Sequence, residues 1–156
     1  EAGVHLKYNY GALKKVNNQK LKIHTKLDPN IVILKLFPGI SANVVEAVLN
    51  IKGLRGVILE TYGSGNASTQ EWFLKAVKKA IDKDVVVLNV TQCNAGKVQQ
   101  GKYATSAAFT KIGVIGGNDI TTEAAVAKLM YVLGTTNKKK EIRTLLEEDL
   151  RGEITV

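Results

Sequence analysis

From residue 30 onward, the sequence alternates short apolar runs with segments of helical periodicity. Four runs are rich in apolar and β-branched residues, at residues 31–37, 56–59, 85–90 and 113–115. Strands separated by helices favour a parallel sheet, because parallel strands need long crossover connections. The alternation therefore predicts an α/β fold, in which a small parallel four-stranded sheet of Rossmann-like architecture carries helices on both faces.

Polar residues that commonly cap helices predict where the helices begin. Ser41 is placed to cap the helix after the first run. Ser68 and Glu71 form a capping-box pattern that predicts the start of a second helix. Thr121 or Thr122 is expected to cap the helix that follows the fourth run.

Two glycines predict where the last helices end. Gly134 is expected at the C′ position, just after the helix that begins near residue 122. The final helix would turn Ile142, Leu145 and Leu146 inward and end near Gly152.

Residues 1–29 differ from the rest of the chain, being rich in lysine and asparagine and ending at Asp28-Pro29. Every second residue from Leu21 to Leu27 is apolar or threonine, which is the period of an extended strand with one covered face. We interpret residues 1–29 as an extended interdomain connector or an edge strand, and residues 30–156 as the α/β domain. The first residue is Glu1 and not methionine, so we expect a processed chain or a piece of a longer one.

Composition agrees with one globular unit and excludes several classes of protein. The 156 residues are 45% apolar and 23% charged, near the globular average. The single cysteine excludes an internal disulfide, no apolar run could span a bilayer, and no secretory leader is predicted. The net charge of +8 permits an anionic partner. Because aromatic residues do not interleave with the basic ones, a solvated basic surface is favoured over nucleic-acid binding.

Three loops are predicted to follow strand carboxyl ends, where parallel sheets bind ligands. They span residues 38–41, 60–68 and 89–102. In the second loop, Gly63 and Gly65 allow a tight backbone turn. They resemble the start of a dinucleotide fingerprint without its third glycine, so a structural turn is favoured over a nucleotide loop. Asn66 in the same loop either contacts a ligand or caps the turn.

The remaining candidate residues are Glu60 and two residues of the third loop, Thr91 and Cys93. Glu60 either contacts a ligand or pairs with a lysine. For Cys93 a buried, inert thiol is favoured over a nucleophile, because no histidine is near it in sequence. The two histidines, His5 and His24, lie in the connector, which argues against a zinc site. We predict no metal site, no cofactor and no catalytic group in this chain.

Several separated segments then carry a family pattern, in the same order as in that family. They are Leu-Phe-Pro-Gly-Ile-Ser at 36–41, Val-Ile-Leu-Glu-Thr-Tyr-Gly-Ser-Gly-Asn-Ala at 57–67, Leu-Asn-Val-Thr-Gln-Cys at 88–93, Ile-Gly-Gly-Asn-Asp-Ile-Thr-Thr-Glu-Ala-Ala at 115–125 and Leu-Arg-Gly-Glu at 150–153. In these segments the sequence resembles the C-terminal domain of bacterial type I (cytoplasmic) L-asparaginases. The resemblance covers essentially the whole chain.

The resemblance implies an amidohydrolase that converts L-asparagine to L-aspartate and ammonia. In that family two threonines, an aspartate and a lysine of a larger N-terminal domain carry out the chemistry, in motifs of the type T-G-G-T-I and G-T-D-T. Neither motif occurs in this sequence. Amide hydrolysis needs an activated nucleophile and a proton donor for ammonia. We therefore expect the chain to be inactive without the missing N-terminal asparaginase domain.

The resemblance also implies partners and ligand residues. Family members form intimate dimers, so we expect a homodimer or homotetramer in which Asn66 completes the partner's active site. An allosteric L-asparagine site would be lined by Asn66, Thr91 and Cys93. Where an arginine would grip the ligand's α-carboxylate, this chain has Glu60, which would repel that carboxylate but could meet the α-ammonium.

The implied protein is cytoplasmic and contacts neither a membrane nor a nucleic acid. The alternative to this interpretation is a freestanding α/β module that binds a small amino acid.

Overall fold

The computed structural model describes residues 20–99, 101 and 104–155, together with residues 6, 8, 10 and 13. In this part the chain forms β1 (Ile31–Lys35), α1 (Ala42–Leu49), β2 (Gly56–Thr61), α2 (Glu71–Asp82), β3 (Val86–Thr91), α3 (Ala104–Ile112), β4 (Ile115–Gly116), α4 (Thr122–Thr135) and α5 (Lys139–Glu147). Within the described residues, none of the helices has the length and apolar character that crossing a bilayer would require. The predictions for His5 and for most of residues 1–19 fall outside the described residues.

All four strands are parallel and follow one another in chain order, β1-β2-β3-β4. Ile58 of β2 is paired with Ile33 of β1 on one side and with Leu88 of β3 on the other. Because each crossover adds the next strand on the same side, the connecting helices α1, α2 and α3 share one face of the sheet. The helices α4 and α5, which follow the last strand, cover the other face. The predicted parallel sheet with helices on both faces is confirmed.

Alternate residues of the central strands divide between two hydrophobic cores. Val57 and Leu59 of β2 pack with Phe73 on the side of α1, α2 and α3. Ile58, between them, packs with Leu129 on the side of α4 and α5. Because both faces are covered, every residue of β2 is buried, which explains why this run is apolar without alternation.

Two of the predicted helix caps are confirmed. The Ser41 hydroxyl accepts a hydrogen bond from the backbone N–H of Val44 at 3.4 Å. Thr121 accepts in the same way from Ala124 at 3.3 Å, which resolves the choice between the two threonines before α4. Each cap satisfies an N–H group that the first helical turn leaves without a partner.

The predicted capping box of the second helix is wrong. The helix α2 begins at Glu71, and its N-cap residue Gln70 makes no side-chain cap bond. Ser68 accepts a hydrogen bond from the backbone N–H of Gln70 at 3.2 Å. This local turn competes with the helix and keeps residues 68–70 outside it.

Gly134 lies inside α4, which corrects the predicted helix end. The helix continues to Thr135, and Thr136 is its C-cap. A Cβ atom on Gly134 would overlap the carbonyl group of Lys26, with only 2.8 Å to the carbonyl carbon, and would lie 3.0 Å from the Cα of Leu27. The glycine is therefore required where the connector backbone crosses the helix.

The described part of the connector, residues 20–29, crosses α4 and forms no strand. The N–H of Asp28 donates to the carbonyl of Met130 at 2.9 Å, and the His24 ring meets the Tyr131 ring edge-on at 5.5 Å. Leu21, which precedes these two residues in the connector, is 90% exposed. The alternation of residues 21–27 therefore does not reflect an edge strand of this sheet.

A buried ion pair holds the C-terminal tail, residues 148–155. The helix α5 ends at Glu147, before the predicted end near Gly152. In the tail that follows, Glu153 Oε1 lies 2.8 Å from Nζ of Lys128 on α4, and the two side chains are 13% and 3% exposed. The same ammonium group donates to the backbone carbonyl of Glu148. The tail is thus held against α4 by one buried cation.

The carboxylate of Glu153 has more hydrogen-bond donors than Lys128 alone. It accepts from the backbone N–H groups of Leu150 and Arg151. Burial opposes its ionisation, but the hydrogen bonds from Lys128 and from these N–H groups outweigh burial and lower the pKa of Glu153 to about 2. The tail therefore folds around an ionised carboxylate.

Replacing Gly134 by alanine is expected to displace the connector from α4. In an open helix this change would stabilise the protein by about 1 kcal/mol. Here we expect the free energy of unfolding to fall by about 1–3 kcal/mol, because the added methyl group would overlap Lys26. Urea denaturation measures this change, and tryptic cleavage after Lys26 should become faster. Ala127→Gly, at an exposed position of the same helix, should cost about 1 kcal/mol and leave that cleavage unchanged. A stabilised Gly134→Ala variant would contradict the contact.

The Lys128–Glu153 ion pair is expected to make stability depend on pH at acidic values. The pKa of Glu153 is about 2 in the folded state, against 4.5 for an ordinary glutamate, so the unfolded state binds more protons between these values. The stabilisation is complete above about pH 4.5 and is lost as the pH falls toward 2. Denaturation of wild type and Glu153→Gln at a series of pH values should show a constant difference in unfolding free energy near neutrality that shrinks below about pH 4.5. A difference that persists unchanged at the lowest pH would refute this.

Candidate functional site

A polar cleft lies at the carboxyl ends of the strands. Because the strands are parallel and in register, Lys35 of β1, Glu60 of β2 and Val90 of β3 lie side by side at one edge of the sheet. The cleft there has a volume of about 430 Å³, and we call it the strand-end cleft. It is lined by Lys35, Glu60, residues 91–94, Gly96 and residues 119–123.

Glu60 places a nearly buried carboxylate in the cleft. Strand alternation puts it on the same face as Ile58, toward α4. Thr122 Oγ1, at the start of α4, donates to Oε1 of Glu60 at 2.6 Å. Nζ of Lys35 lies 3.4 Å from Oε2, and the Glu60 side chain is 11% exposed. The lysine partner that the sequence offered as one alternative is therefore Lys35, whose own side chain is largely solvated.

Gln92 holds three strand ends together beside the cleft. Its Nε2 donates to the backbone carbonyls of Leu36 and Glu60, at 2.7 and 3.0 Å. Its backbone N–H donates to the carbonyl of Thr61 at 2.9 Å. Since β1, β2 and β3 all end here, this one side chain fixes the backbone from which Glu60 extends.

Thr91 and Cys93 form the β3 side of the cleft. Thr91 Oγ1 donates to the carbonyl of Gly63 at 2.5 Å and accepts from the N–H of Cys93 at 3.1 Å. Cys93 is exposed, so the prediction of a buried thiol is wrong. The strand ends at Thr91 and the chain then turns outward, which takes Cys93 out of the buried sheet.

The loop of residues 63–66 is a tight turn beside the cleft. Tyr62 and Asn66 exchange two backbone hydrogen bonds of 2.8 Å. Gly63 and Gly65 have φ angles of 50° and 96°, a conformation that glycine adopts without steric cost. This geometry agrees with the structural turn that the sequence favoured.

Asn66 does not line the strand-end cleft. Its side chain is half-buried in the neighbouring loop, where Nδ2 lies 3.3 Å from Oγ of Ser64. Of the four predicted ligand residues, the structure brings Glu60, Thr91 and Cys93 into one cleft and places Asn66 outside it.

Sequence reasoning missed the residues that follow β4. Asp119 and Thr122 line the cleft, although the loop between β4 and α4 was not among the candidate loops. The rule that ligands bind at strand carboxyl ends applies equally to the fourth strand and would have found them. Gln92 lay in a candidate loop, but its role and that of Lys35 could not be predicted, because their partners are distant in the chain.

The cleft is acidic although the chain carries a net charge of +8. Glu60, Asp119 and Glu123 supply three carboxyl groups, against the single ammonium group of Lys35. Hydrogen bonds from Thr155 hold the pKa of Asp119 below its usual range, so this carboxylate is ionised at neutral pH. Such a cleft favours a ligand that carries an ammonium group.

Hydrogen bonding and charge pairing are the chemistry that these side chains offer. His24 lies against Tyr131 and not in the cleft. Within the described ranges, no group of three or more histidine, cysteine, aspartate or glutamate side chains is placed to hold a metal ion. The arrangement is suited to binding and orienting a small polar molecule.

Comparison with known proteins gives the chain a family context. Residues 30–146 match the model of the family described as Glutaminase/Asparaginase C-terminal domain. L-asparaginase 1 of Escherichia coli K12 is 39% identical over 155 residues, which cover 99% of this chain and 46% of that protein. The 60 kDa lysophospholipase of Homo sapiens is also 39% identical over 155 residues, covering 98% of this chain and 27% of that protein.

Solved structures agree with these relatives. The crystal structure of L-asparaginase I from Vibrio cholerae superimposes with a TM-score of 0.78 at 40% identity, covering 83% of this chain and 39% of that one. The chain therefore spans less than half the length of each of these three proteins.

The hydroxyl of Thr122 is expected to contribute more to stability than Lys35, although both contact Glu60. Thr122→Val leaves a nearly buried carboxylate oxygen without this donor, and we expect the free energy of unfolding to fall by about 1–3 kcal/mol. Lys35→Met removes a solvated ion pair and should cost less than about 1 kcal/mol. Urea denaturation compares the two variants, with Thr122→Ser expected to retain the stability of the wild type. Equal losses for the valine and methionine variants would disprove this ranking.

Proposed function

Since this chain belongs to the glutaminase/asparaginase C-terminal domain family, we propose that it is the C-terminal half of an L-asparaginase that converts L-asparagine to L-aspartate and ammonia. The observation that carries the proposal is the 39% identity with L-asparaginase 1 over 155 residues, almost the whole chain. The catalytic threonines would come from an N-terminal domain. The human relative bears the name of another activity, so the reaction itself needs a direct test.

Within that enzyme, the strand-end cleft is proposed to bind L-asparagine as an effector. In this proposal Glu60 would meet the α-ammonium group and Lys35 the α-carboxylate, with Thr91 and Cys93 at the side of the ligand; all four residues line the cleft. The carboxylate of Asp119 would repel the second carboxylate of L-aspartate. The charges of the cleft therefore favour L-asparagine over its hydrolysis product.

Asn66 is proposed to act elsewhere, in the active site of a partner subunit within a homodimer or homotetramer. Its position outside the strand-end cleft, on a turn held by backbone hydrogen bonds, supports this separate role. A rigid turn can present a side chain to a neighbouring subunit at little entropic cost.

The domain division follows the same proposal. Residues 1–29 would be the connector to the N-terminal domain, and residues 30–156 the C-terminal domain. The family match begins at residue 30, which supports this boundary. We place the protein in the cytoplasm, as its resemblance to type I asparaginases implies.

A freestanding module that binds a small amino acid is the second candidate. The observation that favours it is that the strand-end cleft is formed by residues of this one chain. Both candidates predict ligand binding, but they differ in whether the complete gene product is a hydrolase.

We expect the 156-residue chain to bind L-asparagine and to release no ammonia from it. Titration calorimetry should show weaker binding of L-aspartate, because its second carboxylate meets an acidic cleft. Glu60→Gln should weaken L-asparagine binding about tenfold, since a neutral amide replaces the charged partner of the ammonium group. The matched control, Glu46→Gln on the exposed side of α1, should bind like the wild type.

Three outcomes decide between the candidates. Ammonia release by the complete gene product, but not by the chain alone, supports the asparaginase. Binding without any hydrolysis by the complete product supports the freestanding module. Ammonia release by the chain alone, or equal binding by wild type and Glu60→Gln, would overturn the roles assigned here.

A further inference from the structure

The C-terminal tail is attached at two points, of which only the first belongs to α4. At the first point, Glu153 pairs with Lys128. At the second, the backbone N–H of Thr155 donates to Oδ1 of Asp119 at 2.8 Å. Ile154, between the two points, is buried in the core beneath α4. The tail thus connects the buried ammonium group of Lys128, in the middle of α4, to the turn at Asn118 and Asp119, which precedes this helix.

That turn has a conformation that the surrounding structure must maintain. Asn118 has a φ angle of 54°, which costs energy for a residue other than glycine. Its side-chain amide donates to the carbonyl of Thr155. Its own carbonyl accepts from the N–H of Val98 at 2.7 Å. Contacts from the tail and from the loop after β3 therefore hold the turn in its left-handed conformation.

The same turn forms one wall of the strand-end cleft. Asp119 lines the cleft directly. Thr122, three residues later, lines it as well and donates to Glu60. Hydrogen bonds therefore join the tail to Asn118 and Asp119, the backbone carries the connection three residues on to Thr122, and Thr122 donates to the carboxylate in the cleft.

From this series of contacts we infer that Glu153 and Thr155 are positioning residues, which hold residues 118–122 in place and so set the affinity of the strand-end cleft without touching its ligand. Neither residue lines the cleft. The inference rests on the proposed function only for the identity of the ligand. The positioning of the turn can be measured without any ligand.

A tail that only stabilises the fold would give a different result from a tail that positions the cleft. General destabilisation speeds amide exchange throughout the domain, whereas the loss of a local constraint speeds exchange in one segment. Val77→Ala is the matched control, because Val77 is buried in the opposite core, on α2. It lowers global stability while leaving the tail and the cleft wall intact.

Hydrogen exchange and calorimetry on the full chain test the inference. In Glu153→Gln, we expect amides of residues 117–123 to exchange about tenfold faster than in Val77→Ala. We expect L-asparagine to bind about fivefold more weakly or worse, within the range of coupling between connected sites. Amides of β2 should behave alike in the two variants.

A second variant covers the case in which Glu153→Gln does not fold. A chain that ends at Ile154 loses the hydrogen bonds that Thr155 makes with Asn118 and Asp119 but keeps the Lys128–Glu153 pair. We expect it to show the same local increase in exchange and the same weaker binding, at near wild-type global stability.

Each result has a definite meaning. Faster exchange confined to residues 117–123 in both tail variants supports the positioning role. Exchange there that matches Val77→Ala, or binding that is unchanged despite faster exchange, overturns it. If the wild type binds no L-asparagine, the proposed ligand is wrong, and the exchange data alone decide whether the tail positions the turn.

Discussion

A buried asparagine, Asn89, holds the ends of β2, β3 and β4 in one arrangement. Its Oδ1 accepts from the Thr61 hydroxyl at 2.7 Å, and its Nδ2 donates to the carbonyl of Gly65 at 3.3 Å. Its backbone carbonyl accepts from the N–H of Gly117 at 2.8 Å. Asn89 and Thr61 are fully buried, so water cannot replace a lost partner. The loops that follow β2 and β4 therefore leave the sheet from fixed positions, and the geometry of the strand-end cleft depends on this network.

Because successive residues of a strand point to opposite faces of the sheet, the Asn89 network and the carboxylate of the strand-end cleft lie on different faces. Thr61 lies on the face of α1, α2 and α3, where it joins the Asn89 network, while its neighbour Glu60 lies on the face of α4. The first face is closed by apolar side chains such as Phe73. The second face carries the nearly buried carboxylate, its threonine partner and the tail. A shift of β2 by one residue would exchange these roles and place Glu60 within the apolar core.

Sequence periodicity was sufficient for the fold, because each strand and helix carries its own apolar pattern. It also found Glu60, Thr91 and Cys93, since they lie at or just beyond the carboxyl ends of buried strands. It could not find what depends on distant partners. The exposure of Cys93 follows from where β3 stops, and the need for glycine at position 134 follows from a connector that lies more than a hundred residues away in the chain. The link between the tail and the cleft had no local pattern to reveal it.

The helix α4 brings these features together. Its first residue, Thr122, contacts the cleft, its buried Lys128 holds the tail, and Met130 accepts a hydrogen bond from the connector. A helix of 14 residues is a rigid element about 21 Å long. The connector at the Gly134 crossing and the threonine that donates to Glu60 therefore contact opposite ends of one rigid helix. The helices α1, α2 and α3 lie on the opposite face of the sheet, so the connector is linked to the cleft through α4 and through β1, the strand that continues from it and ends at Lys35.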